Sequence, residues 1–404
     1  LAWLLKTYGH NKKYLLTKDN EYQKVSKQID DLFYFFRDTN INSLTNQELK
    51  KYLLELMDIG NTSFGYNLIA EAMDIVDENY YKKLLPKVPI SKLLDVVSLL
   101  STPDKLSFLE KENLDLLCIA KKYLKKDRSQ RQQIFKDDMA THRYNYFWVQ
   151  NNYKEARIIK LSYFKQSLNE ILRTNKLLGI NQKINYLKNK HQILNNRRQK
   201  IYSQYNISKQ AKDFFALLRL LANWQDKRKE NVQKILACVD KIFDRISREH
   251  KISKQVLREY FIAELVDVLM YGKRVSKTNL RKRRSILFYS YLDKNGRIKK
   301  EIFYGQNIFR AKKYFQRHNQ VDINQGLSGF VASRGKGTNI VSGKVRIVLH
   351  AKGAKFKPGE ILVTGMTRPE FVPLMKRAKA IITNEGGITT HAAIISRELK
   401  IPCI

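Results

Sequence analysis

A short segment near the C-terminus combines a turn, two hydroxyl groups and an imidazole in a spacing that suits phosphoryl chemistry. Gly386 and Gly387 permit a tight turn and a close backbone approach after an apolar run. Thr389 or Thr390 can then cap a helix that begins at His391. The sequence therefore predicts an imidazole at the N-terminus of a helix.

That position suits a phosphate, because the first N–H groups of a helix lack intrahelical partners and its dipole is positive there. A neutral imidazole is also a nucleophile, and the same N–H groups can stabilise its phosphorylated form. His391 is thus a candidate phosphoryl acceptor. From spacing alone, a capping or core histidine is the more common explanation.

The elements before this segment are predicted to be helices over residues 1–272, a region with few prolines and apolar residues at helical spacing. Thr45 and Glu48 have the spacing of a capping box. Gly60 and Gly272 follow apolar periodic runs and are predicted to end helices. This region is expected to be a substrate-binding domain or a pivot.

The sequence changes character after residue 272. Residues 273–320 are predicted to be a linker with a β-hairpin and one short helix, because two β-rich runs surround Asp-Lys-Asn-Gly. Residues 321–404 are rich in glycine and contain strand-like runs separated by helical ones. The expected fold is a multidomain protein, all-helical first and α/β at the C-terminus.

Residues 359–404 closely resemble the phosphohistidine domain of phosphoenolpyruvate-utilising enzymes, the group of phosphoenolpyruvate synthases, pyruvate phosphate dikinases and rifampin phosphotransferases. The positions that match the family pattern are Thr367, Pro369, Thr383, Gly386, Gly387, Thr389, His391, Arg397, Glu398 and Pro402. Two positions depart from the pattern, since Ser396 replaces a small alanine and Thr390 stands where the synthases have cysteine.

The resemblance implies that His391 is the phosphorylated residue of a β/β/α swivelling domain. It implies that Gly386, Gly387, Thr389 and Thr390 support the phosphate. It also makes Thr389 a candidate for regulatory phosphorylation, as in some members of the family. Residues 226–283 are similar to the helical segment that precedes this domain in synthase-like proteins.

The same resemblance sets expectations about partners. Such enzymes carry an ATP-grasp domain, and many add a (β/α)8 barrel that binds pyruvate or phosphoenolpyruvate with Mg²⁺. Neither pattern is found in these residues. ATP and Mg²⁺ are therefore expected for the complete enzyme, with the partner domains in the full-length protein or on another chain, and a small-molecule phosphoryl acceptor. No cofactor or metal is expected on these residues themselves.

The sequence ends at Ile404, inside what the resemblance predicts to be a central strand. We therefore expect an incomplete swivelling domain, whose apolar faces near the C-terminus lack covering partners. Because the first residue is Leu, a missing N-terminal part is also expected.

Three functional classes remain open. The first is a phosphotransferase that works by a phosphohistidine relay. The second is a non-enzymatic phosphocarrier or regulatory module without its own ATP-grasp domain. The third is a basic helical nucleic-acid-binding protein, prompted by the net charge of +38. Lysines are spread along the whole chain, however, which favours compositional drift over a nucleic-acid site.

The cysteine content and the absence of targeting patterns predict a cytoplasmic protein. The three cysteines are far apart and show neither metal spacing nor a disulfide framework. No apolar stretch reaches the roughly 18 residues of a membrane span, and no signal-peptide pattern is found.

Three further segments contain residues that could bind a ligand but have simpler explanations. The aromatic run 141–153 could stack on a base, but a buried helix is the simpler explanation, with His142 structural. Asp137 and Asp138 could bind a metal, yet no other ligand has suitable spacing. The basic run 279–285 could contact phosphates, although a solvated linker is the simpler interpretation.

Overall fold

The computed structural model of the chain describes most of the helical region and the main elements of the C-terminal one. The described residues are 12–71, 78–151, 156–283, 286–292, 298–304, 307–310, 313, 329, 331–335, 340–349, 351, 353–367, 371–384 and 390–404.

Helices account for the regular structure of the described residues up to 283, as predicted for residues 1–272, and the last of them lies within the predicted linker. Their bounds are α1 Lys12–Asp38, α2 Asn46–Glu71, α3 Glu78–Leu84, α4 Ile90–Ser101, α5 Phe108–Leu124, α6 Arg128–Tyr146, α7 Leu161–Thr174, α8 Leu177–Lys188, α9 Lys190–Gln204, α10 Lys209–His250, α11 Lys254–Leu257, α12 Ile262–Tyr271 and α13 Lys277–Arg283. No strand interrupts them among the residues described in this part of the chain.

The chain divides into two compact units. One comprises residues 1–28, 61–233 and 329–404, and the other comprises residues 29–60 and 234–328. These units follow contacts between residues that are distant in sequence. The domain boundaries expected from composition, at residues 272 and 320, stay predictions.

The helical part of the first unit has an aromatic core. Trp224 and Tyr22 are almost fully buried, with ring centroids 5.3 Å apart. The indole N–H of Trp224 donates to the Asp19 carboxylate at 2.7 Å, so the buried polar atom is satisfied. Phe214, Phe215 and the apolar face of α4 complete this core.

Three of the predicted helix termini, one start and two stops, lie in the second unit. The capping box is confirmed, since Thr45 and Glu48 exchange hydrogen bonds of 2.8 and 3.2 Å. Gly272 ends α12 in the left-handed region, with φ of 65°, as predicted. Gly60 does not end a helix: α2 continues through it, and a Cβ there would lie 3.3 Å from Ile235 Cδ1, so close packing explains this glycine.

The predicted hairpin is present. Strand β1, Ile286–Leu292, pairs antiparallel with β2, Ile298–Tyr304, in a register that joins Ile286 to Tyr304. The turn at 293–297 lies outside the described residues. Residues 307–310 are helical, within the predicted short helix.

The C-terminal part contains a five-stranded sheet and two helices. The strands are β3 Ser333–Arg334, β4 Val345–Ile347, β5 Ile361–Thr364, β6 Ala380–Thr383 and β7 Pro402–Cys403, and the helices are α14 Val372–Met375 and α15 His391–Leu399. The sheet order is β3-β7-β6-β5-β4, in which only the β3–β7 pair is antiparallel. Leu362, Met375 and Ala393 contribute to the core between sheet and helices.

The C-terminal strand is hydrogen-bonded to a neighbouring strand on each side. Strand β7 is an inner strand, because the carbonyl of Cys403 accepts from Ala332 N at 2.8 Å while Ile404 N donates to Ile381 O at 3.0 Å. Cys403 is 1% exposed. Strand β7 is thus paired along both edges, as a central strand is, and its pairing with β3 is one that a local pattern could not indicate. The expectation that apolar faces near the C-terminus lack covering partners concerns the faces of the sheet and stays a prediction.

The opposite face of the sheet is apolar and accessible at its β4 edge. Val345, Ile347 and Leu349 are 53%, 69% and 70% exposed, whereas Val348 between them is buried in the core. This alternation follows from the period of two along a strand. The second β layer of the expected β/β/α arrangement is not among the elements of the described residues.

Candidate functional site

The parallel strands bring the predicted motif to one edge of the sheet. Thr364 and Thr383 are register partners at the carboxyl ends of β5 and β6. Asn384 N donates to Thr364 O at 3.1 Å and ties the two ends together. In a β-α-β crossover the helix runs back along the sheet, so α15 begins at this same edge. Ligands of parallel sheets commonly bind there.

Helix α15 begins at His391. Thr390 occupies the N-cap position with extended backbone angles, φ −74° and ψ 163°, but its hydroxyl makes no capping hydrogen bond. The N–H groups of the first turn are therefore not capped by this side chain, and they offer donors to an anion at the helix start.

The structure locates part of the predicted set. Thr367, which follows β5, is 6% exposed, and Thr383 ends β6. Pro369, Gly386, Gly387 and Thr389 lie outside the described residues, as do the side chains of His391 and Glu398. The roles assigned to all these residues stay predictions.

Arg397 lies near the far end of α15. Its Nη1 donates to the carbonyl of Ala332 at 3.3 Å, next to β3. The adjacent Ser396 is fully buried, and its carbonyl accepts from Ile401 N at 2.9 Å where the chain turns into β7. These contacts tie the C-terminal part of α15 to β3 and to the turn that leads into β7.

The ionisable groups of this sheet include a pair that the sequence did not indicate. Arg346 donates to Glu360 at 2.7 and 3.2 Å, and Lys357 N donates to the same carboxylate at 2.9 Å. The Arg346 hydrogen bonds and the Lys357 N–H lower the pKa of Glu360 to about 2. Because β5 begins at Ile361, this pair lies at the amino edge, away from His391.

Burial raises the pKa of the Cys403 thiol, which suits a packing role.

The other residues considered as possible ligand-binding sites, in the aromatic run and at Asp138, contact neighbouring side chains or lie in the core. His142 is 2% exposed, and its Nε2 lies 2.8 Å from Glu112 Oε1. In the aromatic run, Trp148 is buried while Tyr144 is exposed. Asp138 pairs with Lys122 at 2.7 Å.

The basic run 279–285 is likewise anchored. Arg283 pairs with Glu264 at 2.5 Å and lies over the Phe261 ring. Residues 284 and 285 lie outside the described residues. No group of three or more metal-ligating side chains is found in the part of the chain that the structure describes. None of the described helices is both long and apolar enough to cross a membrane.

Comparison with known proteins identifies the class of the C-terminal segment. Residues 356–404 match the family model of the PEP-utilising enzyme, mobile domain. This match confirms the resemblance of the segment to the mobile domain and supports a function related to phosphoryl transfer.

Individual relatives point the same way. The chain is 57% identical over 79 residues to a probable phosphoenolpyruvate synthase of Staphylothermus marinus, a match that covers 19% of this chain and 9% of the relative. It is 54% identical over 79 residues to the phosphoenolpyruvate synthase of Pyrococcus furiosus, with the same coverage. A probable synthase of Archaeoglobus fulgidus is 46% identical over 86 residues, which is 20% of this chain and 11% of that protein. The match thus spans about a tenth of each relative.

Proposed function

We propose that the protein takes part in phosphoryl transfer through a phosphohistidine at His391. The observation that carries this proposal is the start of α15 at His391 within the segment that matches the mobile-domain family. A helix N-terminus at the carboxyl edge of a parallel sheet suits a phosphoryl group, because donors and dipole favour negative charge there.

The chemistry proceeds in two displacements. A lone pair of the neutral imidazole attacks phosphorus, a P–N bond forms, and the P–O bond to the donor breaks with its electrons leaving on oxygen. An acceptor oxygen then attacks the same phosphorus, the P–N bond breaks, and the imidazole is regenerated. The helix N–H groups stabilise the charge on the phosphoryl oxygens in both steps.

The donor and acceptor sites belong to partner domains in this proposal. ATP with Mg²⁺, or phosphoenolpyruvate, supplies the phosphoryl group, and pyruvate or another small molecule accepts it. An ATP-grasp domain and a pyruvate-binding domain, in the full-length protein or in trans, would hold these substrates. The mobile domain would swivel between them.

Labelling of the histidine tests the proposal. The protein is incubated with ³²P-labelled phosphoenolpyruvate or ATP, alone and with a phosphoenolpyruvate synthase whose own phosphorylated histidine has been replaced. We expect an acid-labile, base-stable label that is lost in His391→Ala, because only a ring nitrogen forms a phosphoramidate. A label acquired only with the synthase present would favour the phosphocarrier alternative over a complete enzyme.

Two variants serve as controls. Thr390→Val should keep the label, since a threonine would give an acid-stable ester. Arg397→Ala should slow transfer without erasing the label, because residue 397 follows His391 by six residues, nearly two helical turns, and its guanidinium contacts Ala332. If His391→Ala still carries the acid-labile label, another histidine is phosphorylated and the assignment is wrong. Regulatory phosphorylation of Thr389 would appear as the acid-stable species.

A further inference from the structure

The segment from residue 171 to residue 212 contains no acidic residue. It holds ten Lys or Arg in 42 residues and covers the end of α7, all of α8 and α9, and the start of α10. An even distribution of the chain's 38 acidic residues would place about four in this length. The general excess of lysine therefore does not by itself account for the local absence of carboxylates.

The two buried cations of this segment already have carboxylate partners. Lys190 donates to Glu110 at 2.7 and 2.8 Å. Arg198 pairs with Asp104, and it also donates to Leu99 O at 3.2 Å, at the C-terminal end of α4. These two residues hold α9 against its neighbours, and they use the nearby carboxylates in doing so.

The exposed cations have no such partners. Five of them define what is called here the α8–α9 basic surface, and they are Lys176, Lys183, Lys188, Arg197 and Lys200. None forms an ion pair with any residue that the structure describes, and Lys183 alone has a polar side-chain partner, Asn175 at 2.7 Å. The charge of this surface is therefore not neutralised within the described chain.

We propose that the α8–α9 basic surface binds single-stranded nucleic acid through its phosphodiester backbone. Amides lie between the cations on the exposed side of α9, at Gln192, Asn195, Asn196 and Gln199, and they can donate to phosphate or sugar oxygens. Tyr186 on α8 is 43% exposed and offers a ring to an unpaired base. Among the described side chains of α8 and α9, the exposed large apolar residues are Leu178 and Tyr186, too few to form the continuous apolar face that insertion into a membrane needs.

Fluorescence anisotropy with labelled 20-nucleotide oligo(U) and oligo(dT) tests the proposal on the full chain. The site variant is Lys188→Gln, Arg197→Gln and Lys200→Gln combined. The matched control replaces Lys24, Lys27 and Lys92 by Gln, three lysines of the same unit that are also exposed, with the same loss of charge. Binding by either single strand, weakening about tenfold in the site variant and less than twofold in the control, supports the proposal. The slope of log K against log salt should fall by about 2 in the site variant.

Three results would overturn it. Equal losses in both variants would mean that binding follows total charge and not this surface. Tighter binding to a 20-base-pair duplex would contradict the single-stranded ligand. Equal retention by vesicles of phosphatidylcholine with 30% phosphatidylserine would indicate a generic polyanion effect. Because His391→Ala should leave oligonucleotide binding unchanged, this inference and the phosphohistidine proposal fail independently.

Discussion

The helical region and the C-terminal sheet differ in how their buried surfaces are completed. Helices such as α2 and α5 satisfy their backbone bonds internally and cap their own first turns. The sheet depends on pairs far apart in sequence, since Ser333 is the partner of Cys403. Its outer strand also leaves Ile347 exposed. The helical region is therefore specified piece by piece, whereas the sheet forms only as a whole.

Two left-handed glycines, one in each region, offer the sharpest test of this difference. Gly335 follows β3 with φ of 68°, and a Cβ there would lie 2.9 Å from Pro402 N in the neighbouring strand. Gly272 has nearly the same φ, but its nearest atom, in the His250 ring, would be 3.7 Å away.

Gly335→Ala is therefore expected to destabilise the sheet by about 3 kcal/mol or more, through strain and a backbone clash. Gly272→Ala should cost only about 1 kcal/mol, through strain alone. Hydrogen exchange of the amides in β5 and β6 measures the first effect. Trp148 and Trp224 fluorescence should not change in Gly335→Ala. An equal loss of folding free energy in Gly335→Ala and Gly272→Ala would contradict the difference in packing between the sheet and the helical region.

Two carboxyl groups give the regions opposite responses to pH. Burial raises the pKa of Asp226 to about 6, despite the Phe108 N–H that donates to it at 3.3 Å. The native state then binds more protons than the unfolded state, so stability falls as pH rises from about 4 to 6. Asp226→Asn keeps an oxygen that can accept from the Phe108 N–H, and it should remove the loss of stability between pH 4 and 6. That loss is about 3 kcal/mol at most. Urea unfolding followed by tryptophan fluorescence between pH 4 and 7 measures it.

Glu360 is the counterpart in the sheet. Its pKa is lowered to about 2, so its contribution is present above about 4.5 and is lost as pH falls toward 2. Glu360→Gln should make exchange protection of β5 less dependent on pH in that window. If the hydrogen-exchange protection of β5 fell as the pH was raised, and not as it was lowered, the lowered pKa of Glu360 would be contradicted.

The smallest effect is expected at the accessible sheet face. Ile347→Lys should change the free energy of unfolding by no more than about 0.5 kcal/mol, because the side chain is already 69% exposed. It should also lower binding of the dye ANS. Ile381→Lys, at a position 1% exposed on the covered face, should unfold the sheet. A large cost at Ile347 would show that this face is covered in solution.

The sequence by itself determined the helical class of the described residues up to 272, the hairpin, the capping box at Thr45 and the helix that starts at His391. Each depends on neighbours within a few residues, because helical periodicity, caps and tight turns are local. The family resemblance of residues 359–404 was also readable, since its motif is contiguous.

Only the tertiary structure decided the rest. Gly60 lies inside a helix because Ile235, far away in sequence, packs against it. Strand β7 is an inner strand because β3 pairs with its free edge. The division of basic residues into paired and unpaired ones depends on where Asp104 and Glu110 meet α9. Burial of a carboxylate such as Asp226 likewise follows from packing between helices, and no local pattern encodes such contacts.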